Sequence, residues 1–277
     1  MLPLQPLPSE GASAPRPPFV DIPSPPRAGE VRRAAPEPAF GWSDDASPWG
    51  QSATTGPAVA VAERSEAANR ILNVVVAAVA LLVLAPLCVL VAALVKLTSS
   101  GPVFYTQTRI GLDRRWRGLA PDDGDRRVED LGGQPFTILK FRSMTVNAES
   151  NGQAVWATKH DARVTPIGRV MRKTRIDEIP QLVNVLRGEM NIVGPRPERP
   201  SIVVRLRESI AEYPLRHRVK PGITGWAQIN HSYDACIEDV RRKVAYDLEY
   251  IENQGLLMDL KIMVLTLPVM IFRKGAH

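Results

Sequence analysis

Residues 71–95 read ILNVVVAAVALLVLAPLCVLVAALV, twenty-five positions without a formal charge, with Arg70 in front and Lys96 behind. At ~1.5 Å per residue, a helix of this length reaches across a hydrocarbon core of about 30 Å. A buried core helix is the alternative, but one this long and apolar all round would be unusual. It predicts a membrane-inserted helix over residues 67–98 and divides the chain into an arm before it and a domain after it. Pro86 lies near the middle of the run. Its ring removes an amide donor and clashes with the carbonyl four residues back, so a kink is expected at Ala85-Pro86. Cations at both ends give no orientation under the positive-inside rule. A straight span and a helix that bends back to its side of entry are both compatible with the sequence.

The arm, residues 1–66, reads as disordered. Thirteen of the 25 prolines in the 277 residues fall within the first 62, in runs such as Pro15–Pro18 and Pro23–Pro26. Such runs favour extended backbone and leave little apolar surface to bury. Met1-Leu2-Pro3-Leu4-Gln5 leads straight into this region, without the basic and apolar segments of a secretory signal. Two cysteines, Cys88 and Cys236, exclude a disulfide framework and a cysteine-rich zinc module.

The charge is unevenly placed. Residues 71–277 carry 29 Lys and Arg against 21 Asp and Glu, while the first 70 carry 6 against 8. The basic excess thus belongs to the domain expected beside the membrane, where anionic headgroups or phosphorylated substrates would meet it. Nucleic acid is the other usual partner of a basic domain. No helix-turn-helix, aromatic-rich sheet or zinc spacing supports it.

Within residues 99–277, Pro102–Gln107 and Phe136–Arg142 read as strands, joined by a charged, glycine-bearing loop from Asp113 to Gln134. Lys140 and Arg142 share one strand parity and would project to one face, as a phosphate contact or an exposed edge. Thr165 and Pro166 are suited to the cap and first position of a helix. A second helix is expected from Asp177 to Gly188, capped by Asp177, with Ile179, Leu182, Val183 and Leu186 as its apolar stripe. Asp177 and Glu178 would then sit at a helix N-terminus, where acids are common dipole partners as well as candidates for chemistry. Arg196 stands between Pro195 and Pro197, a restricted backbone from which a guanidinium can grip phosphate oxygens. Lys220–Asn230 packs two glycines, Trp226, Gln228 and Asn230 into a tight loop, suited to a nucleotide base or sugar, or to an ordinary turn on a core Trp. His231 has no partner at metal-binding spacing. The C-terminal stretch Leu256–Phe272, with Asp259 and Lys261 among apolar residues, reads as an interfacial amphipathic helix with Arg273 and Lys274 toward headgroups, or as a helix packed on the domain.

Four of these stretches, Leu139–Met144, Asp177–Leu182, Gly194–Pro197 and Lys220–Gln228, resemble the bacterial sugar transferases, the monotopic phosphoglycosyl transferases that begin surface-polysaccharide assembly. They occur in that family's order behind a membrane helix, and the resemblance runs from about Arg70 to Phe272. It implies an α/β fold: a compact, mostly helical catalytic domain with short strands, anchored by a re-entrant N-terminal helix. It implies transfer of sugar-1-phosphate from a UDP-sugar to polyprenyl (undecaprenyl) phosphate, with release of UMP, at the cytoplasmic face of a bacterial inner membrane. The products would be exopolysaccharide, capsule or O-antigen type glycans. By the same resemblance Asp177 is the nucleophile that forms a covalent phosphosugar intermediate, and Glu178 is its partner. Both are the expected Mg²⁺ ligands, and Lys140, Arg142, Arg172 and Arg196 bind substrate phosphates. The enzyme's partners would be donor, lipid and membrane, not nucleic acid, with room for a homodimer. Ala85 stands where the family's break often has serine, and the Asp113–Gln134 loop is long for its place. Two other classes fit the sequence less well. A glycosyltransferase releasing UDP lacks a supporting Asp-x-Asp motif in a strand–loop setting, and a scaffold without chemistry would have no use for Asp177.

Overall fold

A computed structural model describes residues 59, 61–114, 131–146, 148, 161–231 and 236–271. Residues 1–58, most of the Asp113–Gln134 connection, Tyr233-Asp234 and Phe272–Lys274 lie outside these. Val59 and residues 61–65 belong to the arm expected to be disordered, yet they lie against the domain. Val59 is buried, its carbonyl accepts from Arg218 Nη1 (2.7 Å), and the Ala62 amide donates to the Ile251 carbonyl (3.2 Å). Apolar side chains at Val59 and Val61, just past the last proline, have a core to join.

Helix α1 spans Glu66–Thr98, and the Ser65 hydroxyl accepts from the Ala68 amide at its start. It runs as one element through Pro86. The ring removes one ladder bond without ending the element. Only Asn73, Ala77, Val91 and Val95 are buried. These residues lie on the domain, whereas Ile71, Val79, Leu82, Val83, Val89 and Leu97 are exposed. Near its start, Arg70 donates to the Val185 and Leu186 carbonyls (2.6 Å each), and the Asn73 side-chain oxygen accepts from the Ile192 amide. Near its end, Val91 and Val95 pack with Phe141 and Met171. Both ends of a helix about 50 Å long therefore rest on one body.

Strands β1 (Phe104–Ile110) and β2 (Pro135–Phe141) pair antiparallel, with Phe104 opposite Phe141 and their rings stacked at 5.4 Å. The first strand starts two residues later than the sequence suggests, after a turn at Gly101 (φ 113°). Helix α2 (Pro166–Thr174) has the predicted start: Thr165 Oγ1 accepts from the Gly168 amide at 3.0 Å.

The predicted helix from Asp177 is different. Arg175 adopts a left-handed conformation (φ 57°), Ile176–Glu178 form a 3₁₀ turn, and helix α3 covers only Gln181–Arg187. The bonds here run from Glu178 to Arg175, Ile179 to Ile176 and Leu182 to Ile179, an i to i−3 winding common where α-helices begin. Asp177 therefore sits inside a tight turn and does not cap the helix. Gly188, with φ 83°, ends α3 as expected. Of the predicted stripe, Leu182 is buried and Ile179 and Leu186 pack partly buried against the same core; Gln181, Asn184 and Val185 are buried as well, because α1 and β2 cover the helix from two sides. Asn184 joins α3 to β2: its Oδ1 accepts from the Leu139 amide (3.1 Å), and its Nδ2 donates to the Thr137 carbonyl (2.7 Å).

After α3, β3 (Asn191–Val193) pairs in parallel with β4 (Gly222–Thr224). Helix α4 (Pro200–Ser209) and a 3₁₀ segment (Tyr213–Arg218) lie between these strands in sequence, and α5 (Trp226–Asn230), α6 (Ile237–Asn253) and α7 (Leu256–Ile271) follow. The result is a helix-rich domain with two small two-stranded sheets. Helix α7 turns its charge inward: Asp259 is buried, accepts from the Tyr250 hydroxyl (2.8 Å) and pairs with Arg64 (3.3 Å). Leu257, Leu260, Val264 and Leu265 face outward. Burial of Asp259 next to two donors outweighs the simple polar-face-out expectation.

The β3–β4 pair brings two glycines together. A Cβ on Gly222 would lie 2.1 Å from the Gly194 nitrogen and 2.5 Å from the Thr224 oxygen. Gly222→Ala should therefore lower stability by about 1–3 kcal/mol through overpacking. A thermal melt in detergent would check this, and an unchanged midpoint would contradict the tight contact.

Candidate active site

Asp177 and Glu178 are both buried, on the 3₁₀ turn between α2 and α3. Three cations from different parts of the chain converge on Glu178. Lys140, from β2, places Nζ 2.8 Å from Oε1. Arg196, from the loop after β3, donates Nη2 to Oε1 and Nη1 to Oε2, the latter at 3.3 Å. Arg175 Nη1 stands 3.8 Å from Oε2. Burial alone would raise the Glu178 pKa, but Arg196 and Lys140 outweigh it and hold the carboxyl well below its usual range.

Asp177 is the opposite case. Among the described residues no hydrogen bond or ion pair to its carboxylate is formed within ordinary limits. Burial and the neighbouring Glu178 charge raise its pKa, against the pull of Lys140, Arg196 and Arg172. Burial lowers the Lys140 pKa, with Glu178 opposing. The Glu178 charge holds Arg196 above its ordinary range. The Arg196 side chain remains 31% exposed, so its guanidinium is open to an incoming anion while it holds Glu178.

Of the residues singled out in the sequence, Asp177, Glu178, Lys140 and Arg196 form one cluster, and Arg172, in the last turn of α2, adds positive field at Asp177. Arg142 goes elsewhere. It shares strand parity with Lys140 but is buried at the end of α1, where Nη2 donates to the Ser99 carbonyl (2.8 Å) and hydroxyl (2.7 Å). The loop around Trp226 spends its amides internally: Gln228 donates to the Ile223 carbonyl and Asn230 to the Trp226 carbonyl. Lys261 Nζ lies 5.1 Å from the centre of the Trp226 ring.

Sequence reasoning missed Arg175. Its left-handed backbone turns its side chain toward Glu178, and nothing in the spacing marks that conformation. It also missed Asn184, although a polar residue amid Leu182, Val183, Val185 and Leu186 was a visible anomaly. For metal binding, no cluster of three His, Cys, Asp or Glu side chains occurs among the described residues. Both Glu178 oxygens face cations, so Asp177 is the carboxylate of the pair available to a metal ion.

The two neighbours should respond oppositely to neutralisation. A carboxyl whose folded pKa is raised contributes stability below its unfolded pKa, and that contribution is lost as pH rises through the folded value. Asp177→Asn should thus raise the melting temperature at about pH 7, with the gain shrinking toward about pH 4. Glu178→Gln removes the anion shared by Lys140, Arg196 and Arg175, which are themselves partly exposed, and should cost about 1–3 kcal/mol. Melts of both variants at the two pH values would check this; destabilisation by Asp177→Asn at neutral pH would contradict it.

The chain matches the family described as bacterial sugar transferase over residues 64–273. It is 40% identical over 209 residues to a UDP-N-acetylgalactosamine-undecaprenyl-phosphate N-acetylgalactosaminephosphotransferase of Aeromonas hydrophila, covering 76% of this chain and 45% of that protein. It is 40% identical over 215 residues to a UDP-glucose:undecaprenyl-phosphate glucose-1-phosphate transferase of Escherichia coli (strain K12), covering 76% of this chain and 42% of that one. The exopolysaccharide production protein ExoY of Sinorhizobium fredii is 38% identical over 223 residues, covering 76% of this chain and 88% of that one. The matched region spans under half the length of the first two relatives and most of the third. The match begins at Arg64, in front of α1, and ends just beyond α7, so it takes in every element that positions Asp177, Glu178, Lys140 and Arg196, and the chain belongs to the bacterial sugar transferase family.

Proposed function

We propose that this chain transfers sugar-1-phosphate from a UDP-sugar to undecaprenyl phosphate and releases UMP, at the first membrane step of a surface or exopolysaccharide. The observation that carries this reading is Asp177: a buried carboxylate without a direct partner among the described residues, beside cations that can receive phosphate charge. An Asp177 oxygen attacks the phosphorus that bears the sugar. A bond forms between carboxylate and phosphorus, and the bridging oxygen leaves with UMP. A lipid phosphate oxygen then attacks the same phosphorus, and the Asp177 carboxylate is restored. Arg196 and Arg172 offset the repulsion between the anionic carboxylate and the diphosphate. Glu178, itself paired with Lys140, holds Arg196 in place. Magnesium suits the available donor: it takes one or two carboxylates and completes its shell with water and substrate phosphates. Asp177 would hold it, with Glu178 adjacent, and the ion would neutralise the leaving phosphate. The relatives act on different sugars by name, and the donor here is a UDP-hexose or N-acetylhexosamine.

The placement proposed is the bacterial inner membrane, with the domain on the cytoplasmic face and α1 entering without crossing. Both ends of α1 rest on the same domain, and its exposed face, like that of α7, is apolar. Contact with one domain at both ends supports an entry without crossing.

Detergent-solubilised protein with Mg²⁺, undecaprenyl phosphate and a panel of UDP-sugars should release UMP repeatedly with lipid and about one equivalent without it. Intact-mass analysis should then find sugar phosphate on the protein. Asp177→Asn should lose both adduct and at least ~10³-fold in turnover. Release of UDP would assign the chain to glycosyl transfer instead. For topology, Glu63→Cys and Ser100→Cys, each in a Cys88→Ala, Cys236→Ala background, should both resist an impermeant thiol reagent until the inner membrane is opened. Labelling of one of them in intact cells would establish a crossing helix.

A further inference from the structure

The loop that presents Arg196 has no regular structure, yet four consecutive carbonyls in it each accept a donor from elsewhere. Pro195 accepts from the Gly222 amide (3.0 Å), Arg196 from Arg216 Nη2 (2.9 Å), Pro197 from Arg109 Nη1 (3.1 Å) and Glu198 from the Ile110 amide (3.0 Å). Pro195 and Pro197 contribute no amide donor of their own, so these contacts set the path of the chain at Arg196.

Arg216 is the unusual donor. It is 1% exposed, on the 3₁₀ segment before β4, and each of its three guanidinium nitrogens has a partner. Nε and Nη2 meet Asp247 Oδ2 of α6 at 2.9 and 2.7 Å, and Nη1 donates to the Tyr213 hydroxyl at 3.0 Å. Asp247 is also 1% exposed. A buried Arg–Asp pair adds little net stability over apolar replacements, because desolvation offsets the attraction. What the pair supplies is direction: a planar guanidinium clamped on one edge by a carboxylate points its remaining N–H at one carbonyl.

We propose that Arg216 and Asp247 are positioning residues for Arg196, fixing the backbone from which that guanidinium reaches Glu178 and the donor's phosphates. This rests on the reading of Arg196 given above. Neither residue touches the reacting groups. Their effect passes through the Arg196 carbonyl, and a displacement of about 1 Å at such a group costs on the order of 10²-fold in rate.

The test uses two variants of the full chain. Arg216→Met with Asp247→Leu replaces the pair by apolar side chains of similar reach, so neither charge is left stranded. Arg216→Lys keeps the charge for Asp247, but one nitrogen cannot serve Asp247, Tyr213 and the Arg196 carbonyl in a planar fork. With melting temperature monitoring the fold, both should lower turnover roughly 10²-fold. Neither should add to the loss already present in Arg196→Ala, because the pair acts only through Arg196. The Arg196 side-chain Nε–H resonance, read by NMR without substrate, should lose its ordered, slowly exchanging character in both variants. An unchanged resonance, or losses that multiply with Arg196→Ala, would overturn the proposal. If the unaltered protein releases no nucleotide from any donor, the reading of its function falls, and the resonance still decides the positioning role.

Discussion

Burial of the Glu178 carboxylate is the constraint on which the rest of the domain depends. An isolated carboxylate in this setting would cost many kcal/mol, so the fold has to deliver compensating charge to it. It does so from three places far apart in sequence: Lys140 on β2, Arg196 after β3 and Arg175 within the turn. Each delivery needs its own support. Asn184 fixes β2 to α3, so the strand bearing Lys140 is held against the helix that follows the dyad. The parallel β3–β4 contact, closed by Gly194 and Gly222, sets the base of the Arg196 loop. The scaffold is therefore organised around an anion that does no chemistry of its own in this reading.

Helix α1 extends the same logic to the apolar surface. Its inner stripe completes two separate core clusters, one with Ile192 and α3 and one with Phe141 and Met171. Its outer face has no partner among the described residues. Arg70 caps the C-terminal carbonyls of α3, which favours a cation at the negative end of that helix. Helix α1 thus contributes to both clusters of the domain, and the position of the carboxylate pair relative to α1 is set by packing and not by a linker.

Much of this was legible in the sequence. The 25-residue uncharged run, the Thr165-Pro166 start and the Gly188 stop are local signals, and each appears where local physics places it. Failures occurred where tertiary contacts decide. Asp177 looked like a helix cap because an acid before an apolar stripe usually is one; the left-handed Arg175 instead begins a tighter turn that buries it. Lys140 and Arg142 share a parity in the sequence, but β2 ends at Phe141, and Arg142, just beyond it, extends to the end of α1. Asp259 read as a polar-face residue, although Tyr250 and Arg64 await it inside. Arg216 and Asp247, 31 residues apart, had no pattern to announce them.

The contrast between two adjacent carboxylates follows from a single geometric fact: Glu178 reaches the cations directly, and Asp177 feels them at a distance. An anion neutralised by three ion pairs has its lone pairs occupied and makes a weak nucleophile. A desolvated carboxylate with no direct partner keeps its lone pairs available and becomes more basic. The same positive groups then serve both residues in turn. They are held in place by Glu178 before substrate arrives, and Arg196, still partly exposed, can share its charge with an incoming phosphate without first being organised. A pair of carboxylates at one turn can thus divide the work without any difference in their own chemistry, because the cations reach only one of them.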